Sequence, residues 1–411
     1  MGPKAKRSSD AKEDSNSPVK KAKKPQTPQE RIVRDEVSPM DLSALKGAFV
    51  KIISWNVAGL RGIVRNRPNV LKEFVKVHKP DILCLQEHKL QEKDVKDWKD
   101  HLVEYGYASY WACSTTKLGY SGVAIFVRDP NYKPATAPKS AQQKVTSFFT
   151  FTKPKRMPEP EPSAEPEPAA NPSSCSSPSS GSVTMSLKDV VVELPHRAHC
   201  GEGRTITMEF PSFFFVGAYV PNSGNKLQRL DYRVDEWDVY MREYLKGLEA
   251  KGKPVVYAGD LNVGHLDLDI YNATAKHIVK VSGLTPRERE SHTDLLSAGF
   301  VDAFRWLYPS ARGQFTFWNQ IRGSREPNRG IRLDYFLCSE SIMPKPEDVD
   351  QKFETLADDA PATPAPRRKV IAQVASAVGP VVIDSYILHD DETTKLSSDH
   401  CPVVLILDIF N

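Results

Sequence analysis

Val255-Val256-Tyr257-Ala258-Gly259-Asp260-Leu261-Asn262-Val263-Gly264-His265 starts as an apolar, β-branched run. It passes through Gly259 and then delivers an acid, an amide and an imidazole within six residues. Such a run reads as a strand covered on both faces, with Asp260 at its carboxyl end, where α/β folds place their chemistry. On its own the segment is equally a strand followed by a turn. Three more strand-like runs lead into polar residues in the same way. Lys51-Ile52-Ile53-Ser54-Trp55 leads to Asn56, Ile82-Leu83-Cys84-Leu85-Gln86 to Glu87, and Phe213-Phe214-Phe215-Val216-Gly217-Ala218 to Tyr219-Val220-Pro221-Asn222. Near the C-terminus the order is reversed, and Ser397-Ser398-Asp399-His400-Cys401-Pro402 opens an apolar run through Ile409. Acids, amides and a histidine at so many strand ends point to one convergent polar site on a β scaffold.

The wider pattern supports that scaffold. Strands are expected near 49–56, 81–87, 122–128, 204–210, 213–220, 254–260, 331–338 and 401–409, and helices near 69–79, 91–104, 228–250 and 286–297. In the third helix Leu230, Val234, Trp237, Met241 and Leu245 recur at helical spacing and read as core. Interleaved strands and helices with hairpin-like pairs imply an α/β sandwich of two packed sheets with helices outside.

In chain order, Trp55-Asn56-Val57-Ala58-Gly59-Leu60-Arg61, Leu85-Gln86-Glu87, Tyr219-Val220-Pro221-Asn222-Ser223-Gly224, Gly259-Asp260-Leu261-Asn262, Arg332-Leu333-Asp334-Tyr335-Phe336 and Ser398-Asp399-His400-Cys401-Pro402 make a specific series. That series resembles the exonuclease III-type apurinic/apyrimidinic endonucleases of the DNase I-like superfamily, over roughly Val50 to Phe410 with two interruptions. The resemblance implies a four-layer α/β sandwich, two mixed β-sheets flanked by helices, with the site at the sheet edge. It also implies a Mg²⁺-dependent enzyme, with Mn²⁺ as an alternative ion. The enzyme would cut double-stranded DNA 5′ to abasic sites, leaving a 3′-hydroxyl and a 5′-deoxyribose phosphate, with 3′-end-cleaning phosphodiesterase or exonuclease activity as an accessory.

The residue types suit that chemistry. Phosphodiester hydrolysis needs a positioned water, charge neutralisation on phosphate and help for the leaving oxygen, and Mg²⁺ serves the second need with few carboxylates. By resemblance Glu87 is the metal-binding glutamate, and Asp399 is an auxiliary metal or water ligand. Asp260 resembles the water-activating acid and Asn262 the amide that orients water and phosphate. Both Asp260 and Asn262 also stand as candidate metal neighbours. A turn role for Asn262 fits its local sequence equally well. Asn56 and Asn222 resemble amides that fix the metal carboxylate and the phosphate, so Asn56 is placed with the metal group. His400 resembles the phosphate-facing imidazole and Asp334 its orienting acid. Tyr219 can donate to phosphate or assist the leaving group.

The resemblance also places Phe317, Trp318, Ile331 and Leu333 around a small apolar pocket for a base-free sugar, reached by nucleotide flipping. Phe317 and Trp318 read equally as core aromatics, and Ile331 stands where some relatives carry a large aromatic. Arg61 and Lys89, inside the motifs, are candidate phosphate grips. His265, Asp269 and His292 read as loop packing. Ala58 occupies a position where some relatives have Asp, which favours a single metal. Two other readings remain: a DNase I-like Mg-dependent phosphodiesterase with lipid or RNA substrate, and a catalytically silent chromatin-binding relative.

Composition sets the outer limits. The chain has 411 residues, 40% of them hydrophobic, with no apolar run approaching a membrane span. Six cysteines (Cys84, Cys113, Cys175, Cys200, Cys338 and Cys401) are scattered without metal-like spacing, and reduced thiols are expected. The net charge of +4 is concentrated in residues 1–24, which hold eight Lys/Arg and three Asp/Glu; the remaining 48 basic and 49 acidic residues nearly cancel. DNA binding by the folded part must therefore use a local patch. Residues 1–45 read as a disordered basic tail, and its clusters Lys4-Lys6-Arg7 and Lys20-Lys21-Ala22-Lys23-Lys24 read as a nuclear import signal. A mitochondrial pool is the alternative location. Residues 46–411 form one catalytic domain, interrupted by low-complexity insertions at about 134–186 and 344–380. A monomer acting on DNA, alongside other base-excision repair proteins and away from membranes, completes the expectation.

Overall fold

The apolar runs become the interiors of two sheets. The structure, a computed structural model, describes residues 31–37, 39–40, 49–129, 131, 185–344, 379–395 and 397–409. Within them lie twelve strands: β1 (Phe49–Asn56), β2 (Ile82–Gln86), β3 (Tyr107–Ala112), β4 (Val123–Arg128), β5 (Asp189–Val192), β6 (Thr205–Glu209), β7 (Phe214–Tyr219), β8 (Val255–Asp260), β9 (Phe300–Asp302), β10 (Asp334–Ser339), β11 (Pro380–Ile387) and β12 (Val403–Ile409). The helices are α1 (Leu60–Asn66), α2 (Val70–His78), α3 (Glu92–Val95), α4 (Asp238–Glu249), α5 (Pro286–Ser297) and α6 (Ala303–Leu307).

One sheet runs β11-β12-β1-β2-β4-β3 and the other β5-β6-β7-β8-β10-β9. Each has a single parallel pair at its centre, β1 with β2 and β7 with β8, flanked by antiparallel neighbours. The two sheets therefore share one pairing pattern. In each parallel pair both strands end at the same level: Asn56 is in register with Gln86, and Tyr219 with Asp260. The antiparallel β10 begins opposite that point, with Asp334 facing Asp260. Register alone thus gathers Asn56, Glu87, Tyr219, Asp260 and Asp334 at the sheet ends.

Ile52, Cys84, Ile125, Phe215, Val256, Phe336 and Leu405 share the core between the sheets. A β-carbon at Gly217 would come within 2.5 Å of the Cys84 sulfur across that core, so a larger residue there would force the sheets apart. The outer faces carry their own cores. Trp55, Leu71, Phe74 and Leu85 pack together under α1 and α2, and Val216, Trp237, Met241, Leu245 and Tyr257 under α4. Each fully buried side chain of this size contributes roughly 1.5–3 kcal/mol of transfer energy.

Helix α5 shows how local sequence positions the site. Thr285 caps it, Pro286 occupies the first turn, and the Glu288 side chain returns to Thr285, completing a Thr-x-x-Glu box. The same Glu288 carboxylate accepts bonds from Ser223 Oγ at 2.5 Å and Gly283 N at 2.9 Å, so the helix start also anchors the chain beside Asn222.

Several expectations change. The helix expected over 91–104 is a four-residue α3 and a single 3₁₀ turn at Val103–Tyr105. The helix expected over 228–250 enters through a π-helical segment, Tyr232–Trp237, before α4. That segment carries the buried Arg233, whose guanidinium spans Pro221 O, Leu261 O and Asp238. The strand expected from 331 starts at Asp334, because Ile331 pairs instead with Phe317.

The tail boundary at 45 also moves. Ile32 N donates to Pro327 O at 3.0 Å, Asp35 N to Arg312 O at 3.1 Å, and Gln314 Nε2 to Asp35 O at 2.7 Å. Residues 31–37 are thus a strap across the loop that carries Phe317 and Trp318, with Ile32 against Phe315 and Trp318. Arg34 also pairs with Asp390, and the Asp35 carboxylate accepts from Arg312 N; composition reports none of these bonds. Removing the chain through residue 40 is expected to cost about 2 kcal/mol, or about 4 °C in Tm, as a thermal melt would show. The basic clusters within residues 1–24 lie outside the described residues. So does nearly all of the two insertions, on whose far sides the described chain resumes at Met185 and Gly379.

Candidate active site

Asn56 is the centre of the hydrogen-bond network. Its Nδ2 donates to Glu87 Oε1 at 3.1 Å and to Asp260 Oδ2 at 2.8 Å, joining the end of one sheet to the end of the other. Its Oδ1 accepts from Ala58 N at 2.9 Å, which fixes the orientation of the amide. In this arrangement Asn56 positions two carboxylates, and its oxygen is already engaged by the backbone. Ser398 Oγ donates to Asn56 O at 2.7 Å and accepts from His400 N at 3.2 Å, tying His400 to the same strand end.

His400 lies between two acids of the second sheet. Its Nδ1 donates to Asp334 Oδ2 at 2.7 Å, and its Nε2 lies 3.8 Å from Asp260 Oδ2. Burial alone would push the imidazole down. The Asp334 carboxylate, through its charge and hydrogen bond, outweighs this with Asp260 and Asp399 and raises His400 to about 10. Asp334 is held in turn by Thr316 Oγ1, which accepts from Leu333 N and Asp334 N. Asp260 is raised as well: burial, reinforced by Asp334 and Glu87 and opposed by the His400 charge, lifts it to about 7. A carboxylate poised there can take a proton near neutral pH.

The amides complete the second sheet's contribution. Asn262 N donates to Asp260 Oδ1 at 2.9 Å, Asn262 Nδ2 to Val220 O at 2.8 Å, and Asn222 Nδ2 to Asn262 Oδ1 at 2.9 Å. Asn262 is thus both a turn residue and part of the site. Its φ of 50° is left-handed, as are those of Ala58 (50°), Glu87 (54°) and Lys89 (58°). Four such non-glycine residues around one site are held there by the surrounding bonds, a pattern typical of functional loops. Gly259, with φ 143°, has no room for a side chain, since a β-carbon would meet Ala218 O at 1.8 Å.

The Glu87 carboxylate is ionised. Burial would raise its pKa, but Lys89, Tyr219 and Asn56 together lower it. Lys89 Nζ lies 2.8 Å from Glu87 Oε2 and 3.2 Å from Ala58 O. Tyr219 stays protonated, because burial and the nearby Glu87 and Asp260 charges raise it well above its ordinary value. The donor set suits a hard cation. Glu87 supplies one ionised carboxylate, and among the described residues there is no cluster of three His, Cys, Asp or Glu of the kind that closes a zinc site. Asp399 is half-buried beside His400, with its backbone carbonyl accepting from Trp318 N at 2.9 Å.

The residues expected to form the sugar pocket meet beside His400. Phe317 bridges both Ile331 and His400 through the backbone, and its ring centroid lies 5.0 Å from the imidazole. Trp318 is buried, with Nε1 on Asn328 at 3.1 Å, and Leu333 is nearly buried. Trp318 is therefore a core aromatic here, whereas Phe317 is half-buried. Arg61 is more peripheral: its guanidinium is 60% exposed and pairs with Asp94 at 2.8 Å.

Among the loop residues, Asp269 is fully buried between Arg332 and Arg305, at 2.8 and 2.6 Å, and Arg332 also holds Asp302. His265 bonds Thr293, and His292 packs on Tyr335. Thr316 and Ser398 were not singled out in the sequence, although Ser398 lies inside a quoted motif. Ile321, in the Gln320–Arg322 3₁₀ turn that follows Trp318, is 98% exposed.

Two mixed sheets that deliver an acid, an imidazole with its own acid, and a set of amides to one end define a hydrolase-type α/β sandwich. The chain belongs to the endonuclease/exonuclease/phosphatase family, whose model matches residues 53–400. It is 38% identical over 328 residues to the DNA repair nuclease APEX1 of Danio rerio, covering 79% of this chain and 85% of that protein. It is 32% identical over 310 residues to an exodeoxyribonuclease of Bacillus subtilis, covering 75% and 96%. Among solved structures, AP endonuclease LMAP from Leishmania major aligns with a TM-score of 0.59 at 27% identity, over 90% of this chain and 89% of that one.

Proposed function

We propose that the chain is a base-excision repair endonuclease that hydrolyses the phosphodiester 5′ to an abasic site. The carrying observation is the Asn56-bridged pair Glu87 and Asp260 set against the His400–Asp334 couple, in a chain similar to named AP endonucleases. Asp260 accepts the proton of the attacking water, and Asn262 and Asn222 hold that side of the site in place. His400, kept cationic by Asp334, faces the phosphate and offsets the charge that develops on its oxygens. Tyr219, protonated, donates toward the leaving oxygen. Phe317, Ile331 and Leu333 wall a space suited to a flipped, base-free sugar, and the exposed Ile321 can wedge into the base stack the nucleotide has left.

Glu87, with Asp399 nearby, would hold Mg²⁺, which supplies charge neutralisation on the phosphate. Asn56 and Asn262 orient this centre rather than ligate it. Glu87→Gln is expected to raise the Mg²⁺ concentration needed for half-maximal cleavage by ~10-fold or more, with a smaller loss at saturating Mg²⁺. An unchanged metal requirement would remove Glu87 from this role. Nuclear location, a monomeric state and the company of other repair proteins belong to the same proposal and rest on the sequence reading.

The test is a side-by-side assay of an abasic-site duplex, an RNA strand and a phosphoinositide, with and without Mg²⁺. Mg²⁺-dependent cutting of the abasic duplex alone supports the reading. Turnover of lipid or RNA in its place supports the sister phosphodiesterase classes, and no turnover at all supports a silent DNA-binding relative.

A further inference from the structure

We propose that Arg204 is a positioning residue for Tyr219, which rests on the catalytic reading above. Arg204 immediately precedes β6 and sits beside the end of β7. Its carbonyl accepts from Tyr219 N at 2.8 Å, and its Nη1 donates to Tyr219 O at 2.8 Å, so the two residues clasp each other through the backbone. The guanidinium carbon lies 4.9 Å from the centre of the Tyr219 ring and 5.3 Å from that of Tyr120. The remaining nitrogens are also occupied: Nη2 donates to Tyr120 Oη at 2.6 Å and Nε to Glu202 Oε2 at 2.6 Å. Glu202 is shared with Arg229 at 3.0 Å, which closes a small network around the two tyrosines.

This guanidinium is 2% exposed, and each of its nitrogens is already engaged within the protein. It is poorly placed to grip a phosphate. What it touches is the ring face and the backbone carbonyl of Tyr219, whose hydroxyl reaches Glu87. A planar cation stacked on a tyrosine, with its fork fixed on both sides, sets the tilt of the ring and therefore where the hydroxyl points. Lysine has the charge but neither the plane nor the fork, so it cannot reproduce this arrangement. Tyr120 extends the stack toward the loop Lys117–Gly122, where Lys117 Nζ lies 4.8 Å from the ring centre.

The test is a double-mutant cycle on the full chain with a fluorescent abasic-site duplex. Single-turnover rate, Kd in EDTA and Tm are measured for Arg204→Met, Arg204→Lys, Tyr219→Phe and the doubles. Arg204→Met is expected to slow the rate about 10-fold or more with Kd changed less than about 3-fold, and to cost less than about 2-fold once Tyr219 is Phe. Arg204→Lys should resemble Arg204→Met. Losses that multiply independently, rescue by lysine, or a loss confined to Kd would each overturn the proposal. If Arg204→Met does not fold, Glu202→Gln, which loosens the Arg204 anchor, should show a smaller loss that likewise vanishes in Tyr219→Phe; a loss that persists there overturns the proposal. If the parent protein does not cut abasic DNA, the functional reading fails separately, and the same cycle is read on bis(p-nitrophenyl) phosphate.

Discussion

Asp260→Asn is expected to lower single-turnover cleavage of an abasic duplex by ~10³-fold or more, because the amide cannot accept the proton of the attacking water. Kd measured in EDTA should change little. The stability of this variant relative to the parent should rise with pH. Asp260 is fully buried, and its pKa of about 7 in the folded chain lies above the ordinary carboxyl range near 4 that applies in the unfolded chain. Between those limits the unfolded chain has released the proton and the folded chain has not. Parent stability therefore falls as pH rises from about 4 to about 7 and then levels off. Asparagine removes that dependence, so in EDTA the Tm difference, variant minus parent, should be more positive at pH 8 than at pH 4, on top of a constant cost for the amide hydrogens that face Asn56 Nδ2 or Asn262 N. A variant equally destabilised at both pH values would mean that Asp260 is a structural acid.

The second large effect belongs to the His400–Asp334 couple. His400→Gln should cost roughly 10²–10⁴-fold in kcat, the range for removing a preorganised group that acts on transition-state charge. Asp334→Asn should approach that loss while leaving the imidazole in place. It should also change the pH profile. His400 is raised to about 10 chiefly by Asp334, against the effect of burial, so the cation persists well above neutrality in the parent. Removing the carboxylate lowers the imidazole pKa, and the alkaline fall of kcat should move from near pH 10 toward neutrality. The linked stability has the matching sign: it is fully present below about pH 6.5 and is lost as pH rises through about 10. A pH–rate profile of Asp334→Asn that coincides with the parent's would remove the couple from the mechanism.

The way the sequence exposed some strands and hid others follows from their places in the sheets. The eight expected strands are the eight interior ones, such as β1, β2, β7 and β8. They are covered on both faces and so read as continuous apolar runs. The four unexpected strands, β3, β5, β9 and β11, are the sheet edges. Tyr107–Ala112 mixes small and polar residues, Asp189–Val192 and Phe300–Asp302 are too short to show alternation, and Pro380–Ile387 abuts a low-complexity stretch that hides its start. Parallel pairing then explains why residues at the ends of separate runs meet.

In the site, motif order identified Glu87, Asp260, Asn262, Asp334 and His400, and the structure gathers them. Their connections were less legible. Asn56 bridging two sheets, Thr316 under Asp334 and Arg204 behind Tyr219 depend on side chains brought together from distant parts of the chain, which local pattern does not encode. Trp318 shows the same limit from the other side, because an aromatic in a motif looks alike whether it lines a pocket or packs in the core.

The most direct measurement is to map the cut. A 5′-labelled duplex with one tetrahydrofuran abasic analogue is incubated with the full chain and Mg²⁺, and the product is offered to a DNA polymerase. The account predicts a single break immediately 5′ to the analogue, a 3′-hydroxyl that the polymerase extends, and loss of the product with EDTA or in Asp260→Asn. A break on the 3′ side, an end that cannot be extended, or equal cutting of undamaged duplex would contradict it.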